Sequence, residues 1–266
     1  MTGSPFVSIT TDFGAAYTGI VAGVVARIAP AARVQVLSDE VTPYAVAEGA
    51  SLLTQALPYL PIGIHVAVVD PGVGTARRPI AVRAARGDVL VGPDNGLLAP
   101  AAEALGGVVE ARVLEAPGLR LPEPSSTFHG RDVFAPAAGH LANGVPLAEF
   151  GPRVEPLPLR LPAPEVGDGT LTATVLYPDS FGSLVLAAHP DDLRRAFGEL
   201  PYGHVLDLDG IAVPWVDTYG RVPAGDPLVF TDSSGRLALA VNQGSAAQAF
   251  GLKAGARLTL RARGRA

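Results

Sequence analysis

Ile64-His65-Val66-Ala67-Val68-Val69, running directly into Asp70-Pro71-Gly72-Val73-Gly74-Thr75-Ala76-Arg77, decides the fold of this 266-residue chain. A run with one polar member has no face for water, which is what a strand covered on both sides of a parallel sheet requires. Asp-Pro-Gly then ends it in a turn. Upstream, Phe6 to Thr11 is a β-branched run. Beyond Asp12-Phe13-Gly14, residues Tyr17, Ile20, Val21, Val24, Val25 and Ile28 recur at helical spacing, and Pro30 ends the helix they predict. Arg33 to Leu37 predicts a strand, Val46 to Leu57 a helix, and Ile80 to Val82 and Val89 to Val91 shorter strands. This alternation predicts an α/β N-terminal domain over residues 1–151, a mostly parallel sheet with flanking helices.

The texture changes at Pro152. With Pro156, Pro158, Pro162 and Pro164 following, residues 152–169 read as an extended linker, because proline interrupts helices and central strands alike. Leu171 to Leu176, Leu184 to Ala187, His204 to Leu208, Leu228 to Thr231, Leu237 to Val241 and Arg257 to Arg261 are short β-rich runs between Gly, Pro and Asp. They predict a smaller, mainly-β C-terminal domain over residues 170–266. Two domains also suit the length, since single cores stop growing at roughly 250 to 300 residues.

The chain is 48% hydrophobic and 17% charged, enough apolar surface to offset the entropy of folding. A net charge of −5 with scattered arginines argues against nucleic acid or an anionic membrane as partner. Without cysteine there is no disulfide, thiolate metal site or Cys nucleophile. Met1 to Phe6 lacks a basic segment followed by an apolar core, and no apolar run approaches the ~20 residues of a membrane helix. The expectation is a soluble, cytoplasmic protein.

Ligands of open α/β sheets bind beyond the carboxyl ends of the strands. Three segments place a carboxylate there: Thr10-Thr11-Asp12-Phe13-Gly14, Val69-Asp70 through Arg77-Arg78, and Gly92-Pro93-Asp94-Asn95-Gly96. Any one alone reads first as turn and cap chemistry, and the three together point to a site. The Asp70 loop lacks the third glycine of a dinucleotide loop and leads to a strand. Among five histidines, His65 lies within an apolar strand and reads as a satisfied core residue, while His140, His189 and His204 read as surface or strand positions. His129, in Ser125-Ser126-Thr127-Phe128-His129-Gly130-Arg131-Asp132 ahead of the helical stretch Val133 to Leu141, has polar company. Its plain alternative is an exposed residue before a helix that Asp132 caps.

These segments, with Phe181-Gly182 and Asn242-Gln243-Gly244-Ser245-Ala246-Ala247, resemble in order the S-adenosyl-L-methionine hydrolase (adenosine-forming) family. Its other name is SAM hydroxide adenosyltransferase, and it is related to the fluorinases and chlorinases. The resemblance implies an α/β domain, a β domain and a homotrimer binding substrate between the N-domain of one subunit and the C-domain of its neighbour. It implies Asp70, Arg77 and His129 as catalytic residues and Asp12 on the ribose. It further implies that Asp179, Phe181, Ser183 and Ser233, with the backbone around Val241, Asn242, Ser245 and Ala247, hold methionine and adenine. Where many relatives carry Asn after Phe-Gly, this chain has Ser183, whose hydroxyl has less reach and one donor fewer.

The implied reaction expels a neutral thioether, so it needs no proton on the leaving group; no metal or other cofactor is expected, with S-adenosyl-L-methionine as substrate. Water has a pKa near 15.7 and must be activated. Arg77 supplies a permanent cation, His129 a group able to take a proton near neutrality, and Asp70 a carboxylate to hold both Arg77 and the water. Three rivals remain: a 5′-halogenase on the same substrate, a metal-dependent phosphoesterase using Asp12, Asp70, Asp94, His129 and Asp132, and a non-catalytic adenosyl-ligand binding protein.

Overall fold

The computed structural model describes residues 4–263. Residues 1–3 and 264–266, the outermost positions of the two expected domains, lie outside the described residues. The chain divides into two compact units between Arg160 and Leu161.

In the first unit β1 (Phe6–Thr11), α1 (Gly14–Ile28), β2 (Arg33–Ser38), α2 (Val46–Ala56) and β3 (Ile64–Val68) are followed by β4 (Pro79–Ala84), β5 (Val89–Pro93), α3 (Ala99–Ala104) and β6 (Val108–Val113). A π-helical turn (Gly130–Phe134) leads into α4 (Ala135–Ala142). The sheet order is β2-β1-β3-β5-β4-β6. The first four strands are parallel, and β4 runs against both its neighbours. Every residue of β1, β3 and β5 is buried, as strands with helices on both faces must be. Val21 and Val25 of α1 and Ala135 and Ala138 of α4 pack on one face. Leu53 of α2 and Ala101 of α3 pack on the other.

The stripe expected on α1 is buried only in part. Val21, Val24 and Val25 enter the core, but Tyr17 and Ile20 are 55% and 44% exposed. Tyr17 lies in the first turn and packs edge-on against Phe128 at 5.6 Å instead. Proline-rich 152–159 is extended and bonded to this first unit: Arg153 bridges Arg112, Val154 N–H donates to the Ala111 carbonyl, and Leu157 N–H donates to Asp94.

The second unit contains β7 (Glu165–Gly167), β8 (Thr170–Pro178), β9 (Leu184–Leu186), α5 (Pro190–Phe197), β10 (Val205–Leu208) and β11 (Ile211–Pro214). It continues with β12 (Pro227–Thr231), β13 (Leu237–Val241), α6 (Ala246–Phe250) and β14 (Arg257–Ala262). The antiparallel path is β11-β10-β14-β8-β9-β13-β12, with β7 beside β8. Leu171, Ala173, Val175 and Tyr177 alternate inward along β8, the period-2 pattern of a strand with one wet face. An isolated bridge from Trp215 to Val229 links the two ends of the path.

Candidate active site

Strands β1, β3 and β5 end at one edge of the first sheet, and β4 starts there because it runs the other way. That polarity brings Asp12 from the end of β1 to the same edge as the β3–β4 loop that carries residues 70 and 77. A cleft of about 340 Å³ opens at this edge, lined by Asp12, Phe13, Tyr44, Asp70, Val73, Phe128 and His129 among others.

Beyond β3 the loop doubles back through successive turns, with Val73 N–H donating to the Asp70 carbonyl and Thr75 N–H to the Gly72 carbonyl. Gly74 has φ +76°, and a Cβ there would meet the Ser126 carbonyl oxygen at 2.5 Å. Glycine thus lets this loop seat against the segment that carries His129. The doubling brings Arg77 onto Asp70: Nε donates to Oδ1 at 3.1 Å and Nη2 to Oδ2 at 2.5 Å. Arg77 Nη2 also donates to His129 Nδ1 at 3.0 Å. The guanidinium lies over the Phe134 ring at 5.4 Å, its side chain only 6% exposed, and its Nη1 is buried without a partner. Arg77 does not line the cleft; Asp70 and His129 do, with Arg77 joining them from beneath.

His129 precedes the π-helical turn, where Phe128 wedges against Phe13 at 5.8 Å. Burial, then the Arg77 cation, push the imidazole below its ordinary value. Asp132 is not a simple cap. Its buried carboxylate accepts from Ser125 N–H and from Arg131, closing residues 125–132 into a loop. Asp12 accepts from Tyr44 N–H at 2.8 Å. Burial raises its pKa, and the like charge of Asp70 adds to this against the Tyr44 bond. Asp94 is buried, is held by Arg78 Nε at 2.8 Å and Leu157 N–H, and stands outside the cleft lining.

In the second unit, a cleft of about 460 Å³ is lined by Phe181, Tyr219, Val241, Asn242, Gln243, Gly244 and Ser245. Asp179 Oδ1 accepts from the N–H groups of Phe181 and Ser183, which leaves Phe181 77% exposed at the rim. Ala247 N–H donates to the Gly182 carbonyl, and Ser245 Oγ accepts from Gln248 N–H to cap α6, so the two loops brace each other. Ser183 is buried with its hydroxyl 3.2 Å from the Tyr219 hydroxyl. Asn242 Nδ2 donates to the Val222 carbonyl. Ser233 falls elsewhere: it lies in the turn from β12 to β13, at the opposite end of β13 from Val241, and does not line this cleft.

Sequence reasoning missed Tyr44 and Tyr219, one in each cleft. Each stands beside a turn former, Pro43 or Gly220, and an aromatic held in a turn was the available hint. It named no partner for either.

Residues 7–151 match the family described as SAM hydroxide adenosyltransferase N-terminal domain, and residues 173–259 match its C-terminal domain. An (R)-S-adenosyl-L-methionine hydrolase of Salinispora tropica is 48% identical over 98% of this chain and 100% of its own. A fluorinase of Actinoplanes sp. is 29% identical over 97% of this chain and 98% of its own. A crystal structure of an uncharacterized conserved protein from Thermotoga maritima has a TM-score of 0.82 at 32% identity, covering 96% of this chain and 99% of that one. Both halves are matched in order, and the chain belongs to the SAM hydroxide adenosyltransferase family.

Proposed function

We propose that this protein hydrolyses S-adenosyl-L-methionine to adenosine and L-methionine, in the (R) form that the names of its hydrolase relatives specify. The observation that carries the reading is the joining of Asp70, Arg77 and His129 by hydrogen bonds at a sheet edge, with Asp70 and His129 facing the cleft. Water held by these two groups attacks ribose C5′ opposite the sulfur, and the sulfonium charge is neutralised as methionine leaves. Holding the two in line is worth up to roughly 7 to 11 kcal/mol. Asp12 accepts the ribose hydroxyls, for which a carboxylate has spare lone pairs.

The second cleft supplies the remaining contacts in this reading. Phe181 and Tyr219 offer aromatic faces and residues 241–247 a loop of backbone polar groups to adenine and methionine. Asp179, already accepting two backbone N–H groups, keeps lone pairs for an ammonium. The assembly is a homotrimer in which the first cleft of one subunit meets the second cleft of a neighbour, working in the cytoplasm. Among the described residues no helix is long and apolar enough to cross a membrane.

Identity to the hydrolases exceeds that to the fluorinases, which favours water over halide as nucleophile. The phosphoesterase reading needed Asp94 and Asp132 as ligands, but arginines hold both carboxylates. Incubation with S-adenosyl-L-methionine in ¹⁸O-water tests the proposal. The expected result is label in the 5′-hydroxyl of adenosine with release of methionine; absence of turnover, or a 5′-halo nucleoside formed in preference when chloride or fluoride is added, rejects it.

A further inference from the structure

The hydrogen bonds of the first cleft fix where its protons sit. Arg77 Nη2 stands 3.0 Å from His129 Nδ1. A guanidinium has donors and no acceptor, and it does not deprotonate in proteins. Nδ1 is therefore the acceptor and carries no proton. An imidazole with a bare Nδ1 keeps its proton on Nε2, and the doubly protonated ring sets N–H against N–H at Arg77. The charged groups that act on His129 are Arg77 and Arg120, with Asp70 and Asp132 in opposition, and the Phe134 ring lies at 6.4 Å. Burial and the two cations outweigh the carboxylates and favour the neutral ring.

A neutral ring with a proton on Nε2 and a donor on Nδ1 has no lone pair left for water. With Nδ1 occupied by Arg77, the geometry favours a role for His129 as donor to water over the expected role as proton acceptor. Asp70 is the remaining acceptor of the three: each of its oxygens takes one N–H from Arg77 and keeps a further lone pair, and the side chain faces the cleft. Asp12, the other carboxylate there, takes Tyr44 N–H and is assigned to the ribose.

We propose that His129 holds the attacking water by donating from Nε2–H, and that the proton of this water passes to Asp70. The assignment rests on the hydrolase reading above. The water oxygen forms the bond to C5′, and the C5′–S bond breaks with its electron pair on the sulfur of methionine. The surplus proton moves to Asp70 Oδ and on to solvent, leaving neutral adenosine. Arg77 is a positioning residue that sets both partners at once.

Two measurements test this. In ¹⁵N-histidine-labelled wild type, the His129 ring, identified through its contact with Phe134, is expected to show an unprotonated Nδ1 and a protonated Nε2 between pH 7 and 9. A protonated Nδ1 overturns the proposal without touching the hydrolase reading, and the spectrum decides even if variants unfold. In kinetics, His129→Gln places an amide donor close to the Nε2 position and has no basic nitrogen. Its rate is expected to fall below wild type but to stay well above that of His129→Ala, because the donor is kept, and only the part of the acid limb set by imidazole protonation is lost. His129→Ala and Asp70→Asn are expected to fall by about 10² or more, the scale of a lost proton-transfer partner. Equal losses in His129→Gln and His129→Ala overturn the proposal. A wild type that shows the expected tautomer but no ¹⁸O incorporation overturns the hydrolase reading and the water-holding role with it.

Discussion

Arg77 concentrates three interactions in one guanidinium: two bonds to Asp70 and one to His129. Its removal frees both partners, because Asp70 loses the fork that fixes its plane and His129 loses the donor that selects its tautomer. Misplacement by about 1 Å can cost about 10² in rate. Arg77→Ala is expected to lower kcat by that factor or more across the pH range, with KM for S-adenosyl-L-methionine little changed. Arg77→Lys is expected to recover little, since an ammonium cannot present a planar fork to a carboxylate. Steady-state kinetics from pH 5 to 9 checks both, and a KM effect without a kcat effect contradicts the role. The pair Asp70 and Arg77 was legible in the sequence because a loop joins them. The bond between Arg77 and His129 spans fifty-two positions and was legible only through resemblance.

The elements around the site divide by how strongly their sequences commit to one structure. Long apolar strands such as β3 announce themselves, whereas β6, Val-Val-Glu-Ala-Arg-Val, mixes charges into an outer strand and passes unread. Helix α5 hides for another reason: it buries only Leu193 and Ala196, and its start depends on a capping box between His189 and Asp192 in a charged stretch. The π-helical turn after His129 has no pattern of its own, because packing of Phe134 and the Asp132 loop sets it. The Asp70–Arg77 loop is the element most exposed to a single substitution. Gly74→Ala forces a left-handed conformation worth about 1 to 2 kcal/mol and drives a methyl group into the Ser126 carbonyl. A lower Tm together with a reduced kcat is the expected outcome; an unchanged kcat shows that the two loops do not depend on each other.

For the whole molecule the proposed trimer makes activity a property of assembly. Sedimentation is expected to give three times the 27.2 kDa chain mass, with activity lost on dilution to monomer, and a fully active monomer contradicts it. The first sheet holds another constellation toward the amino ends of its strands. Ser8 Oγ lies 2.7 Å from His65 Nδ1, and His65 Nε2 lies 2.9 Å from Asp88, which Arg86 and Gly63 N–H also bind. Burial pushes Asp88 up, but the bonds from His65, Arg86 and Gly63 outweigh it and hold the carboxyl well below the ordinary range. Serine, histidine and aspartate in this order are the parts of an acyl-transfer machine, yet all three are at most 1% exposed. No carbonyl compound reaches the Ser8 hydroxyl, so acylating and phosphonylating reagents that silence serine hydrolases find no nucleophile here. The same three groups that would be chemistry at a surface are, at this depth, mortar between β1, β3 and the start of β5.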